Sequence, residues 1–329
     1  VLHYRPPEYK VGVRFPAGTI FFGDSFRGVI SGRYFFGTPL TDAPVTWSLW
    51  RALGTYRPPG NEGYTFGTAL SHDSEPKPKP AVIARGKGKL DARGRLVIRT
   101  RAKPWPSTAG EGRVGGLTLT AQVRDESRQV IGATGHRVVH PAAVYVGLKP
   151  RRTIIKSGEE SVIDVIATDP RGRRVPGRKV KIVAARLVWP PDSGLSSLFF
   201  DFDPTPPKEV PAGGCLTVTT RTRAGCRITL PKAGTYVLRA RTRDRRGRLT
   251  RTAMEVEVVG PTDAGSTPRG RHLQLKTVKK VYAAGDHARV LIKSPFPRAV
   301  GLLTVERSGI RSFRVLQLKS QMHLERVKI

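Results

Sequence analysis

Runs of alternating apolar and polar residues, cut at short intervals by glycine, proline or an Asp turn, occupy almost the whole chain. Leu117-Thr118-Leu119-Thr120-Ala121-Gln122-Val123-Arg124 and Thr235-Tyr236-Val237-Leu238-Arg239-Ala240-Arg241-Thr242 are examples. A period of two sends successive side chains to opposite faces, the pattern of a half-buried strand, whereas an amphipathic helix needs apolar residues three and four apart. No segment sustains that second spacing between helix caps. The fold class is therefore all-β, with short antiparallel strands packed as immunoglobulin-like sandwiches and helices at most incidental.

Two signatures recur at domain-sized intervals. The first is a Gly-acid turn opening an alternating strand, at Gly23-Asp24, Gly158-Glu159 and Gly285-Asp286, whose glycines lie 135 and 127 positions apart. The second is a strand running into an Asp turn, at Ala121 to Asp125 and Ala240 to Asp244. The 329 residues then divide into sandwiches over 1–140 and 141–260, a Gly/Pro/Ser/Thr linker over 261–271, and the N-terminal part of a truncated third sandwich over 272–329. The first residue is Val1, so the chain reads as an internal piece whose address signal lies upstream. Glu75-Pro76-Lys77-Pro78-Lys79-Pro80 reads as an extended loop, because alternate residues lack a ladder donor. A Pro-rich insertion from Trp189 to Pro211, carrying Leu198-Phe199-Phe200-Asp201-Phe202, folds back on the edge of the second sandwich.

Net charge is +33, distributed as +11, +12 and +10 over the three units. Nucleic-acid binders concentrate charge on one face or tail, so this spread argues against such a partner. With 40 Arg, 18 Lys and the single asparagine Asn61, the excess reads as GC-rich coding on a solvated surface. No run approaches the roughly 18 apolar residues of a membrane-spanning helix.

Cys215 and Cys226 flank Leu216 to Gly225, read as strand, turn and strand. A hairpin centred between Thr220 and Arg221 brings the two face to face within reach of a cross-strand disulfide. The disulfide, and with it an oxidising compartment, is preferred to a reduced cytosolic pair, and zinc is disfavoured because no second Cys/His pair stands at ligand spacing. No cofactor or metal is expected. The seven histidines are scattered, with no His-Glu-x-x-His and no Gly-x-Ser-x-Gly, and Gly86-Lys87-Gly88-Lys89 lacks the Ser/Thr of a phosphate loop. Asp169-Pro170-Arg171-Gly172 reads as turn chemistry, since Arg171, Arg173 and Arg174 repel a divalent cation. No catalytic residues are assigned.

Four motifs, in order, resemble the macroglobulin domains of bacterial alpha-2-macroglobulins. They are Tyr34-Phe35-Phe36-Gly37-Thr38-Pro39-Leu40 with Ala43-Pro44-Val45-Thr46-Trp47, the joint His140-Pro141-Ala142-Ala143-Val144-Tyr145, the cysteine segment with Gly234-Thr235-Tyr236, and Tyr282 to Phe296 continuing into Leu303 to Ile310. The resemblance implies macroglobulin-type sandwiches upstream of the bait region of a broad-spectrum proteinase trap. That family's reactive thioester joins a Cys to a Gln three residues on. Cys215 is followed by Leu216-Thr217-Val218 and Cys226 by Arg227-Ile228-Thr229, so neither forms one.

The resemblance thus implies a non-enzymatic, structural segment, periplasmic or at the cell surface, serving to trap proteinases. His140-Pro141 and Gly260-Pro261 are the expected hinges, and envelope or peptidoglycan-synthesis proteins are possible further partners. The competing expectation is a basic tandem-sandwich adhesin or envelope protein holding anionic polymers.

Overall fold

The computed structural model describes residues 7–71, 76–189, 207–261, 273–279, 281–296 and 298–329. Among these residues the regular structure is 21 strands plus a 3-10 turn at Thr108–Gly110. The architecture is all-β, as the alternation requires. Leu198 to Phe202 and nearly all of the 261–271 linker lie outside the described residues.

Each repeat opens with the same three-stranded antiparallel sheet. In the first, β2 (Ser25–Tyr34) runs between β1 (Tyr9–Arg14) and β6 (Arg95–Arg101). In the second, β11 (Glu160–Thr168) lies between β9 (Tyr145–Pro150) and β14 (Ala224–Thr229). In the third, β18 (His287–Lys293) lies between β17 (Gln274–Thr277) and β21 (Met322–Lys328). The three Gly-acid turns occupy one structural position. Gly23, Gly158 and Gly285 all have φ between 77° and 93°, and their N–H groups donate to Ala102, Leu230 and Ile329, the residues closing β6, β14 and β21. Left-handed backbone of this kind favours glycine.

The facing sheets differ. The first contains β3 (Pro44–Leu53), β5 (Ala81–Lys89), β7 (Gly115–Arg124) and β8 (Val130–Val139) in the order β5-β3-β7-β8, so Gly86 to Lys89 is strand. The second orders β10 (Ile154–Lys156), β16 (Leu249–Val259), β15 (Gly234–Arg243), β12 (Lys179–Val188) and β13 (Lys208–Val218) as β10-β16-β15-β12-β13. In the third, the pair β19 (Ala299–Glu306) and β20 (Ile310–Leu318) takes the place of β3–β5 and β12–β13. Three separate cores result, centred on Ile30, Leu49 and Leu119, on Ile163, Ile182 and Leu238, and on Val290, Ile292 and Leu318.

The Asp turns are more frequent than two. Asp91, Asp169 and Asp244 each accept the N–H of residues two and four ahead through Oδ1, and Asp125 accepts that of Gln129. The residue three past each Asp is left-handed: Gly94, Arg128, Gly172 and Gly247. Arg128, at φ 64°, is the exception to glycine. Relieving that strain with Arg128→Gly is expected to raise stability by about 0.5–1 kcal/mol, the left-handed penalty less glycine's entropy. An unchanged or lower thermal midpoint would refute it.

The cysteines are bonded to each other, but not across a hairpin. Cys215 is on β13, the edge of the larger sheet, and Cys226 on β14, the edge of the facing one. The chain crosses between sheets at Thr219 to Arg223 because two demands pull it apart. Thr219 is tied to Arg178 and Val175, while Ala224, Cys226 and Ile228 turn their apolar face into the core along β11. The disulfide therefore staples the open side of the sandwich, with Cα atoms 6.1 Å apart. Replacing both cysteines by serine is expected to cost about 2–3 kcal/mol for a loop closing over a separation of 11. A urea midpoint identical to that of the parent would refute the staple.

Candidate functional site

Among the described residues, buried polar and ionic contacts concentrate at two joints between sandwiches. Among the described residues no cluster of His, Cys, Asp or Glu could hold a metal ion.

The first joint is His140-Pro141-Ala142-Ala143-Val144-Tyr145. Every residue except Ala143 is buried, and Ala142 is fully so. His140 anchors to the first sandwich by donating its N–H to Ile20 and accepting from Phe22. Its ring lies in an aromatic cage, with Tyr56 edge-on at 4.7 Å, Tyr145 at 5.8 Å and Phe21 at 6.0 Å. The Tyr145 hydroxyl stands 2.6 Å from His140 Nδ1. Burial, aided by the nearby Arg137 charge, depresses the His140 pKa to about 4. Burial also raises that of Tyr145. The phenol therefore keeps its proton beside a neutral imidazole, and one hydrogen bond joins the two.

From the second sandwich, the Asp244 turn clamps this joint. Its Oδ2 accepts the Ala143 N–H at 2.9 Å and Arg248 Nε at 2.7 Å. Burial opposes ionisation of Asp244, but these bonds and two further backbone N–H groups outweigh it and lower its pKa. Arg248 in turn lies 4.0 Å over the Phe21 ring, on the first sandwich.

A strap reinforces the same joint. Residues 54–71 leave the first sandwich and run over the second. Thr65 exchanges two backbone hydrogen bonds with Leu148, and β4 (Thr68–Ala69) adds a parallel strand beside β16. Tyr56 donates its hydroxyl to Pro170, and the Asn61 amide donates to Gly172 at 2.9 Å. The approach is close enough that a Cβ at Gly172 would lie 1.9 Å from the Pro59 carbonyl oxygen. Leu70 packs against the cluster of Leu187, Trp189, Val237 and Ala253.

The second joint is ionic. Glu257 of β16, buried, accepts Lys293 Nζ from β18 at 2.9 Å and Lys276 Nζ from β17 at 2.6 Å, both through Oε1. Thr235 completes the set, donating to Glu257 Oε2 at 2.9 Å and lying 2.9 Å from Lys293 Nζ. Burial works against the Glu257 charge, yet the two ammonium groups hold its pKa below the usual value. Ile154, Leu291 and Met322 form the apolar floor.

The four expected hinge residues thus lie in unlike settings. His140 and Pro141 are packed inside the first joint. Gly260 lies against Ser157, whose Oγ a Cβ would meet at 2.1 Å, and Pro261 is exposed. Sequence reading missed the strap and the ionic set. Glu257 looks like an ordinary outward position in Met254-Glu255-Val256-Glu257-Val258, and only the third sandwich, folded against it, buries it.

No family model matches the chain. It is 25% identical over 307 residues, 91% of its length, to an alpha-2-macroglobulin homolog of Nostoc sp.. It resembles in fold the trypsin-activated alpha-2-macroglobulin of Escherichia coli (13% identity, TM-score 0.55) over 98% of this chain and 22% of that one. A Salmonella alpha-2-macroglobulin reacted with methylamine is similar at 14% identity and TM-score 0.55, over 99% of this chain and 21% of that one. The resemblance read from the motifs is borne out, and the match is to a part: the chain spans 15% of the length of the curated relative.

Proposed function

We propose that this chain, as the counterpart of a segment of bacterial alpha-2-macroglobulins, supplies structural sandwiches of a proteinase trap acting in the cell envelope. The observation that carries the reading is sequence likeness to the Nostoc homolog along 91% of the chain. The joints support it. Each pairs rigid sandwiches through a small, specific contact set, the arrangement through which rigid-body rearrangement is transmitted. In this reading His140-Pro141 and Gly260-Pro261 mark the pivots, and the contacts around Glu257 and His140 hold one arrangement until bait cleavage elsewhere releases it. The segment binds and moves; it catalyses nothing. Envelope or peptidoglycan-synthesis proteins are the further partners this placement suggests.

The test is a trapping assay on the full-length gene product. Trypsin incubated with it should lose activity on casein while keeping activity on a small chromogenic peptide. Undiminished casein hydrolysis overturns the trap reading.

A further inference from the structure

The charge is evenly shared among the three repeats, but not among the faces of the first. Along β2 the side chains facing away from the core are Arg27, Val29, Ser31 and Arg33, flanked by Lys10 and Arg14 on β1 and by Arg99 and Arg101 on β6. Arg27 stands directly opposite Arg99, and Lys10 opposite Arg33. Like charges at directly opposed positions destabilise a sheet. Among the described residues none of these six cations has a carboxylate partner. The flanking acids lie at strand ends, where Asp24 and Asp91 are engaged by backbone N–H groups, and near Tyr34, where Asp125 is engaged by Ser127 and the Gln129 N–H and Glu126 stands close by. Glu8 precedes β1. The face is open, roughly 10 Å across its backbone and about 30 Å long.

At one end of it the chain turns through Phe35 and Phe36, which are 64% and 77% exposed. The Arg33 guanidinium donates to the Gly37 carbonyl, tying this turn to the basic face, while Phe36 stacks at 5.1 Å on Tyr34, whose ring packs against the core, so Phe36 wraps the end of the sheet. Two adjacent exposed phenylalanines beside an unpaired cationic sheet make an amphipathic pair of features. The cations suit phosphate headgroups, and the rings suit the boundary between headgroup and acyl chain. A soluble polyanion would use the first and leave the second in water.

We propose that the outer face of the β1–β2–β6 sheet, with the Phe35–Phe36 turn at its end, docks on an anionic phospholipid bilayer. The surface does not depend on the trap reading, because binding is measured on this chain.

The 329-residue chain should co-sediment with vesicles of phosphatidylglycerol and phosphatidylcholine at low salt and be released as ionic strength rises. Pure phosphatidylcholine should not retain it. Each cation at an anionic surface is worth about fivefold in partitioning, so Arg27→Glu with Arg99→Glu should weaken vesicle binding at least tenfold. Lys179→Glu with Lys181→Glu, the same charge change on the outer face of the second sandwich, should weaken it far less. Phe35→Ser with Phe36→Ser should weaken vesicle binding while leaving dextran sulfate binding unchanged. Circular dichroism spectra matching the parent verify that each variant is folded. Equal losses from the two charge-reversal pairs would make binding a matter of net charge and overturn the assignment. So would indifference of vesicle binding to the phenylalanine pair, which would assign the face to soluble polyanions.

Discussion

Replacing Glu257 with leucine is expected to destabilise the joined second and third sandwiches by about 3–5 kcal/mol, the usual cost of removing one partner from a buried ion pair. The size of the effect comes from what is left behind. Lys276 is half-exposed and can return to water, but the Lys293 side chain is 4% exposed and would keep only the Thr235 hydroxyl as a hydrogen-bond partner, with the Glu255 carboxylate acting on it as a weaker counter-charge. A buried charge without a counter-charge is far more costly than a missing attraction. The double variant Glu257→Leu with Lys293→Met should therefore recover much of the loss, since a well-packed apolar pair can match a buried ionic one. Urea unfolding, read as the midpoint of the transition that includes these two units, distinguishes the outcomes. A single variant as stable as the parent would show that the joint is held by Ile154, Leu291 and Met322 alone.

Acid should loosen the other joint before it touches the carboxylates. His140 has a folded pKa of about 4, below its ordinary 6.5, so the unfolded chain takes up the proton first. The stability associated with neutral His140 is complete above about pH 6.5. It falls as pH drops through the interval between 6.5 and 4, and is lost below 4, a total of about 3 kcal/mol. Glu257 and Asp244, with lowered pKa values, lose their contributions at the acid end of the range or below it. His140→Phe keeps a ring in the cage but cannot titrate. It should be less stable than the parent at pH 7, because the Tyr145 hydroxyl loses its hydrogen-bond partner, and its stability should vary less between pH 6.5 and 4.5. Parallel curves for parent and variant would exclude His140 as the acid-sensitive group.

Period-two alternation made the all-β class legible, and the three Gly-acid turns showed their common position because only a left-handed backbone serves there. The cysteine pairing could be read, but the hairpin could not. Strand polarity along Ala224 to Thr229 is the same whether the strand pairs with β13 or with β11, and burial across the sandwich decides it. Residues 54–71 carried Gly54, Pro58, Pro59, Gly60, Gly63 and Gly67, all marks of a loop and none of a destination. The one asparagine, a residue the chain otherwise avoids, sits in that strap with its amide bonded to the neighbouring unit. Glu257 was invisible for a related reason: its burial comes from another repeat, and alternation reports only the faces of its own strand.

The strap also has a bearing on the order in which the molecule assembles. Gly67 is held by the Thr252 hydroxyl, a partner 185 residues further along. Contacts so distant form late, and domains complete themselves in the order of synthesis. The first sandwich therefore reaches its core with residues 54–71 still unattached, and the Gly67 to Ala69 end of the segment settles only after β16 has been made. A chain stopped before Thr252 would hold a finished first sandwich and a loose end to the strap, so that protease sensitivity of Gly67 to Ala69 becomes a clock for completion of the second.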